Sequence, residues 1–263
     1  MQTVNLNALS ERYTRIFLLS HMRAFTSLAG HILGSHPQIN GYFEMHISYD
    51  DASALGKQLE VLRECEDIKV NSRYIFDKLL HNDYLLECDR LGVGGTNIPA
   101  VKILVALREP QQTIKSIVNL FAQKATAEPY ASAVEATSYY IERLITLADF
   151  CRTADQQYYY FDAAMLQSAP EVLLPGLSRW LGLDSPLSDN YGIFSQTGEA
   201  RRGDTSKLIQ SGKISKTRND YSHIQIPQEQ LKTAQQIYRD CRRQIIDNAT
   251  DSVIYERDMP ASA

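Results

Sequence analysis

Arg15-Ile16-Phe17-Leu18-Leu19-Ser20-His21-Met22-Arg23-Ala24-Phe25-Thr26-Ser27-Leu28 reads as an apolar strand running straight into a helix N-terminus, with an arginine and two hydroxyls at the junction. The run from Tyr13 to Ser20 is apolar on both alternating faces, as expected of a parallel strand buried on both sides. Further along, Val101-Lys102-Ile103-Leu104-Val105-Ala106-Leu107-Arg108-Glu109-Pro110 repeats the pattern, with Ser116 on the helix that follows. A helix N-terminus offers unpaired N–H groups and a partial positive charge, so it suits phosphate or sulfate. Two such junctions imply a ligand with two separate anionic groups. Arg23, Thr26 and Ser27 would serve one group. Arg108 and Ser116 would grip the other from two sides.

Outward from these junctions, strands alternate with helices. Thr26 to Gly34 is the first helix, stopped at Gly34-Ser35-His36-Pro37. Ile39 to His46 is expected as a second strand. Ala52 to Glu66 is helical by its Leu55, Leu59, Leu62 spacing. Ser72 to Lys78 and Ala100 to Leu107 follow as strands, and Pro110 opens a helix at its first position. Tyr130 to Arg152 is a long amphipathic helix, Gln157 to Phe161 a strand, and Pro170 to Leu181 a helix ended by Gly182. Ser195 to Arg218 reads as a long functional loop. Pro227 opens a last helix with Leu231, Ala234, Tyr238, Cys241 and Ile245 on one face. The expectation is one α/β domain over residues 1–263, with a mainly parallel central sheet covered by helices on both sides.

Composition narrows the function. The net charge of −4 leaves no broad basic surface for duplex nucleic acid, so no nucleic-acid partner is expected and any anion site must be local. No apolar run approaches the ~20 residues of a membrane helix, and no charged-then-apolar leader is seen. The four cysteines are widely spaced without a metal-ligand pattern, which suits a reduced cytoplasmic setting and no metal.

Taken together, these segments resemble sulfotransferases that use 3′-phosphoadenosine 5′-phosphosulfate (PAPS). Arg23-Ala24-Phe25-Thr26-Ser27 is similar to their 5′-phosphosulfate loop, [KR]-[ST]-G-[TS]-[TS], with phenylalanine in place of glycine. Arg108-Glu109-Pro110 with Ser116 matches R-x-P-x-x-x-x-x-S, their 3′-phosphate motif. Ser35-His36-Pro37, Tyr158-Tyr159-Tyr160-Phe161-Asp162 and Trp180-Leu181-Gly182-Leu183 fall in the family's order. Arg201-Arg202-Gly203-Asp204 is similar to the segment that closes over the 3′-phosphate.

The resemblance implies a P-loop-like sulfotransferase fold, PAPS as co-substrate and adenosine 3′,5′-bisphosphate as product. It places cofactor contacts at Arg23, Ala24, Phe25, Thr26, Ser27, Arg108, Ser116, Tyr160, Arg201, Arg202 and Gly203. The acceptor would be the hydroxyl or amine of a small metabolite or sugar. Phe43-Glu44-Met45-His46 resembles a K-E-x-H segment whose glutamate is the base, which points to Glu44, with His46 beside it. Phe76-Asp77-Lys78 resembles F-E-K, whose lysine lies near the transferred sulfate. His81 is a further possible base, and Arg23 is expected to face the transferring group. Two other readings stand beside this one: a small-molecule or nucleotide kinase, and a non-catalytic nucleotide-binding relative. The kinase lacks its G-x-x-x-x-G-K-[ST] loop here.

Overall fold

The computed structural model describes residues 12–50, 53–83, 87, 101–124, 128–154, 157–199, 206–216 and 219–255. Among these residues there are six strands: β1 (Thr14–Leu19), β2 (Ile39–Asn40), β3 (Tyr74–Leu79), β4 (Val101–Leu107), β5 (Tyr158–Asp162) and β6 (Asp251–Val253). They form one sheet in the order β2-β3-β1-β4-β5-β6, and every pairing is parallel. The helices are α1 (Thr26–Ser35), α2 (Ala54–Cys65), α3 (Pro110–Ala122), α4 (Ala133–Thr153), α5 (Met165–Ser168), α6 (Pro170–Leu181) and α7 (Gln228–Asp247).

The pleat divides the strand residues between two cores. Phe17 and Leu19 join Ile103, Val105, Leu107, Tyr158 and Tyr160 under α2, α3, α4 and α7. Ile16 and Leu18 join Leu104, Ala106, Tyr159 and Phe161 under α1 and α6. Continuous apolar strands are therefore required, because both faces are covered. The helix punctuation acts as the sequence suggests. Pro110 is the first residue of α3. Gly182 closes α6 in the left-handed region at φ 73°, its N–H shared between Ser178 O and Arg179 O.

Two elements differ from expectation. The strand expected over Ile39–His46 is only Ile39–Asn40. Gly41 turns the chain out of the sheet at φ 85°, with its Cα so close to Phe76 O that a Cβ would lie 2.6 Å from it. The edge strand β6 has no signal in the sequence, being three residues paired with Tyr159–Phe161. Among the described residues no helix is long and apolar enough to cross a membrane.

β1 and β4 are neighbours, yet the helices after them pack on opposite faces, α1 on one and α3 on the other. In an open parallel sheet, a crevice opens at the carboxyl ends of strands that diverge in this way. Both anion junctions lie at that point.

Candidate active site

Buried side chains from α4 pin the carboxyl ends of the strands. Arg143 donates Nε to Ser20 O (2.9 Å), Nη2 to Leu79 O (2.6 Å) and Nη1 to His81 O (3.0 Å), tying the end of β1 to the end of β3. One turn earlier, Tyr139 donates Oη to Leu80 O (2.7 Å) and accepts Met22 N (2.8 Å). The sequence carried a signal for this pair: an arginine on the apolar face of an amphipathic helix.

His21 links the two junctions through their backbones. Its Nδ1–H donates to Met22 O (2.9 Å), and its Nε2 accepts Arg108 N (3.0 Å). That pattern requires a neutral ring. Burial pushes the His21 pKa down to about 4, with Arg108 and Arg143 adding to the effect.

At the first junction, Arg23 and Phe25 both lie in the left-handed region, at φ 62° and 56°. Phe25 thus holds the backbone shape that glycine adopts freely, at a cost of about 1–2 kcal/mol for a residue with a Cβ. Its ring lies 4.2 Å from the Arg108 guanidinium. Phe25, the N-cap residue of α1, makes no side-chain cap hydrogen bond, and a helix N-terminus suits an anion. Ser27 Oγ accepts from Lys78 Nζ at 3.4 Å.

The second junction is built differently from the sequence reading. Glu109 caps α3, its carboxylate accepting Gln111 N (2.8 Å) and Gln112 N (2.9 Å). The helix terminus is therefore already satisfied, and side chains must hold any anion there. Arg108 donates Nη1 to Arg23 O (2.8 Å), and Arg23 donates Nε to Ser116 Oγ (2.9 Å). Arg23 Nε thus reaches Ser116, at the second junction. Tyr221 and Asn219, which sequence reasoning missed, extend the chain. Tyr221 Oη lies 3.1 Å from Ser116 Oγ and accepts Asn219 Nδ2 at 3.0 Å. Burial lowers the Arg108 pKa to about 10; Glu109 opposes this and the Arg23 charge adds to it. An anion between the two guanidinium groups would relieve that repulsion.

Across the crevice stand Glu44, His46, Lys78 and His81. Glu44 is buried, and its Oε1 has no hydrogen-bond partner among the described residues. His81 Nε2 lies 3.9 Å from this oxygen. Burial raises the Glu44 pKa, against the opposing pull of Lys78, the Leu80 N–H and Arg143. His81 is pushed down to about 4 by burial, then by His46 and Arg143. His46 is exposed and lies off any strand at φ 54°, so it is no pleat-mate of Glu44.

Asp77 replaces the missing ladder in this segment. It accepts Met45 N (2.9 Å), Lys78 N (2.7 Å) and Tyr49 Oη (2.5 Å), while Gln58 Nε2 donates to Tyr49 Oη (2.8 Å). One carboxylate therefore places both Glu44 and Lys78. Burial raises the Asp77 pKa to about 7, although its hydrogen bonds favour the charged form. The folded protein thus binds this proton more tightly than the unfolded chain. The resulting penalty is absent below pH ~4, grows as pH rises towards 7 and is complete above it. Asp77→Asn should therefore gain melting temperature relative to the wild type as pH rises from 5 to 8. Taking the difference between the two proteins cancels the opposite pH dependence of His21 and His81. A constant difference across that range would mean that Asp77 is ionised throughout.

These groups line one cleft of about 1540 Å³. Arg23, Phe25, Thr26, Ser27, Arg108 and Ser116 line it together with Glu44, His46, Lys78 and His81. Leu120, Phe121 and Tyr130 add an apolar side. Two expected site residues do not line it. Ala24 is fully buried under the turn. Tyr160 points into the core, donating Oη to Asp162 Oδ1 (2.7 Å), which also takes Arg242 Nε (2.8 Å). Its place is structural because the pleat turns it toward α4 and α7. Arg201, Arg202 and Gly203 lie outside the described residues. Among the described residues no cluster of metal-ligating side chains occurs.

The architecture is shared with solved structures. The sulfotransferase domain from the curacin biosynthetic pathway aligns over 88% of this chain and 98% of its own length, with a TM-score of 0.53 at 14% identity. The sulfotransferase domain from the Synechococcus PCC 7002 olefin synthase aligns over 87% and 95%, with a TM-score of 0.56 at 17% identity. The chain has the sulfotransferase fold. No protein-family model and no curated protein matches its sequence. At these identities the likeness speaks for the sulfotransferase fold alone, so the chemistry must be argued from the residues in the cleft.

Proposed function

We propose that this protein is a PAPS-dependent sulfotransferase acting on a hydroxyl or amine of a small metabolite or sugar. The observation that carries the reading is the pair of anion junctions at the ends of β1 and β4, joined by Arg108 to Arg23 O and by Arg23 to Ser116, inside one cleft with Lys78 and Glu44. The uncapped start of α1, with Thr26 and Ser27, would take the 5′-phosphosulfate. Arg108, Arg23, Ser116 and Tyr221 would take the 3′-phosphate.

For a hydroxyl acceptor, the oxygen attacks the sulfur in line and a new S–O bond forms. The bond from sulfur to the 5′-phosphate oxygen breaks, and adenosine 3′,5′-bisphosphate leaves with that electron pair. The acceptor proton passes to the Glu44 carboxylate. Lys78, held beside Ser27, neutralises charge on the leaving oxygen. Positioning and electrostatics supply the catalysis, as in phosphoryl transfer. The scheme needs no metal. A reduced, cytoplasmic setting belongs to the same proposal, supported by free thiols at Cys65, Cys151 and Cys241.

Thermal shift tests the nucleotide assignment. Adenosine 3′,5′-bisphosphate should raise the melting temperature without added metal, and AMP should do so much less. Equal shifts from both would remove the second junction from the site. A shift from ATP with magnesium alone would favour a kinase. Transfer of labelled sulfate from PAPS to an acceptor library then identifies the acceptor and separates an enzyme from a non-catalytic binder.

A further inference from the structure

Phe25 occupies a backbone geometry that a glycine would hold without strain. A strained residue persists where its surroundings hold it in place, and here the contact is specific. The ring is half-buried, touching the core on one side and the cleft on the other. On the cleft side it lies against the Arg108 guanidinium at 4.2 Å. Arg108 in turn donates Nη1 to Arg23 O at 2.8 Å, and Arg23 is the other left-handed residue of the same turn. Ring, guanidinium and carbonyl therefore close a loop, from Phe25 to Arg108 to Arg23 and back along the chain. A glycine at this place would give the turn its shape but leave Arg108 without its platform.

We propose that Phe25 is a positioning residue: its ring fixes the Arg108 guanidinium for an anion at the second junction, so that the turn at the first junction and the grip at the second are set together. The identity of the ligand rests on the reading under Proposed function, but the contact itself does not. Stacking suits an arginine, whose planar cation packs on an aromatic face while its edge still donates hydrogen bonds. Among the described residues, Arg108 Nη1 alone has an acceptor, which leaves Nε and Nη2 for the ligand.

Relief of strain and loss of the platform predict opposite outcomes for Phe25→Gly. If the ring only strains the turn, the glycine variant binds as well as the wild type or better. If the ring positions Arg108, titration calorimetry should show about 10- to 30-fold weaker binding of adenosine 3′,5′-bisphosphate. AMP should change by less than about threefold, because it lacks the 3′-phosphate. Phe25→Tyr should bind like the wild type. In an Arg108→Ala background, Phe25→Gly should add nothing, because the partner through which it acts is gone. Unchanged or tighter bisphosphate binding, an equal loss for both nucleotides, or additive losses in the cycle would each overturn the proposal. A nucleotide-free readout separates this from the functional reading. In protein labelled with nitrogen-15 arginine, the Arg108 Hε resonance should carry a ring-current shift that disappears in Phe25→Gly and stays in Phe25→Tyr. Should the wild type bind neither nucleotide, the functional reading falls while this signal still decides on Phe25. An Arg108 resonance unmoved by Phe25→Gly overturns it.

Discussion

Arg108→Ala should weaken adenosine 3′,5′-bisphosphate binding by about 10- to 150-fold, the range expected when a charge-assisted hydrogen bond worth about 1.5–3 kcal/mol is removed. The argument starts from α3. Because Glu109 already satisfies the first N–H groups of that helix, its terminus contributes little to an anion. The 3′-phosphate would then depend on side chains, and Arg108 is a largely buried cation among them. AMP should bind with nearly unchanged affinity. Arg108→Lys should recover only part of the loss, since an ammonium keeps the charge but not the planar fork. Ser116→Ala should cost less than Arg108→Ala, because it removes a neutral hydroxyl that Arg23 and Tyr221 also contact. Calorimetry with the two nucleotides reads all of this, and the ligand-free melting temperature reports whether each variant is folded. Intact bisphosphate affinity in Arg108→Ala would remove the strongest support for the functional reading.

The fold was legible because a sheet buried on both faces demands largely apolar strands, and β1, β3, β4 and β5 are mostly apolar and buried, with charges such as Asp77 and Lys78 confined to a few positions. Helix limits were legible where backbone chemistry marks them, at Pro110 and Gly182. Spacing failed where one residue redirects the chain or a partner decides the outcome. Gly41 ends β2 five residues before His46, so Glu44 and His46, expected on that strand, have no pleat beneath them. Glu109 stands before Pro110 in plain view, yet only the folded geometry reveals that its carboxylate consumes the helix terminus. Tyr160 sits on a strand whose pleat faces it inward, where Asp162 and Arg242 engage it. Phe25 is the instructive case. It stands in place of the glycine of the resembled loop, yet the turn keeps the left-handed shape and gains a contact to the other junction. Arg143 is marked in the sequence only as an arginine on an apolar helix face, and no local motif connects it, Tyr139 or Tyr221 to the distant strand ends and Ser116 that they contact.

Glu44→Gln should cut turnover by about 10²–10⁴-fold while leaving nucleotide affinity unchanged, the range typical when a general base is removed. Glu44 is the group in the cleft whose environment fits a base. Its Oε1 is buried without a hydrogen-bond partner among the described residues, which leaves a lone pair for an acceptor proton. Burial raises its pKa, which makes it a stronger base than an exposed carboxylate, and Lys78 opposes the rise. A base works when deprotonated, so wild-type turnover should fall as pH drops through the raised Glu44 pKa. That limb should vanish in Glu44→Gln. His81, held down to about 4, is neutral at pH 7 and lies 3.9 Å from the carboxylate, so it acts on Glu44 from the side. His81→Asn and His46→Asn should therefore cost less than Glu44→Gln. Steady-state rates with PAPS and an acceptor from the screen check the order. If His81→Asn abolishes turnover while Glu44→Gln retains it, the proton passes to His81, and Glu44 only shapes the pocket around Lys78.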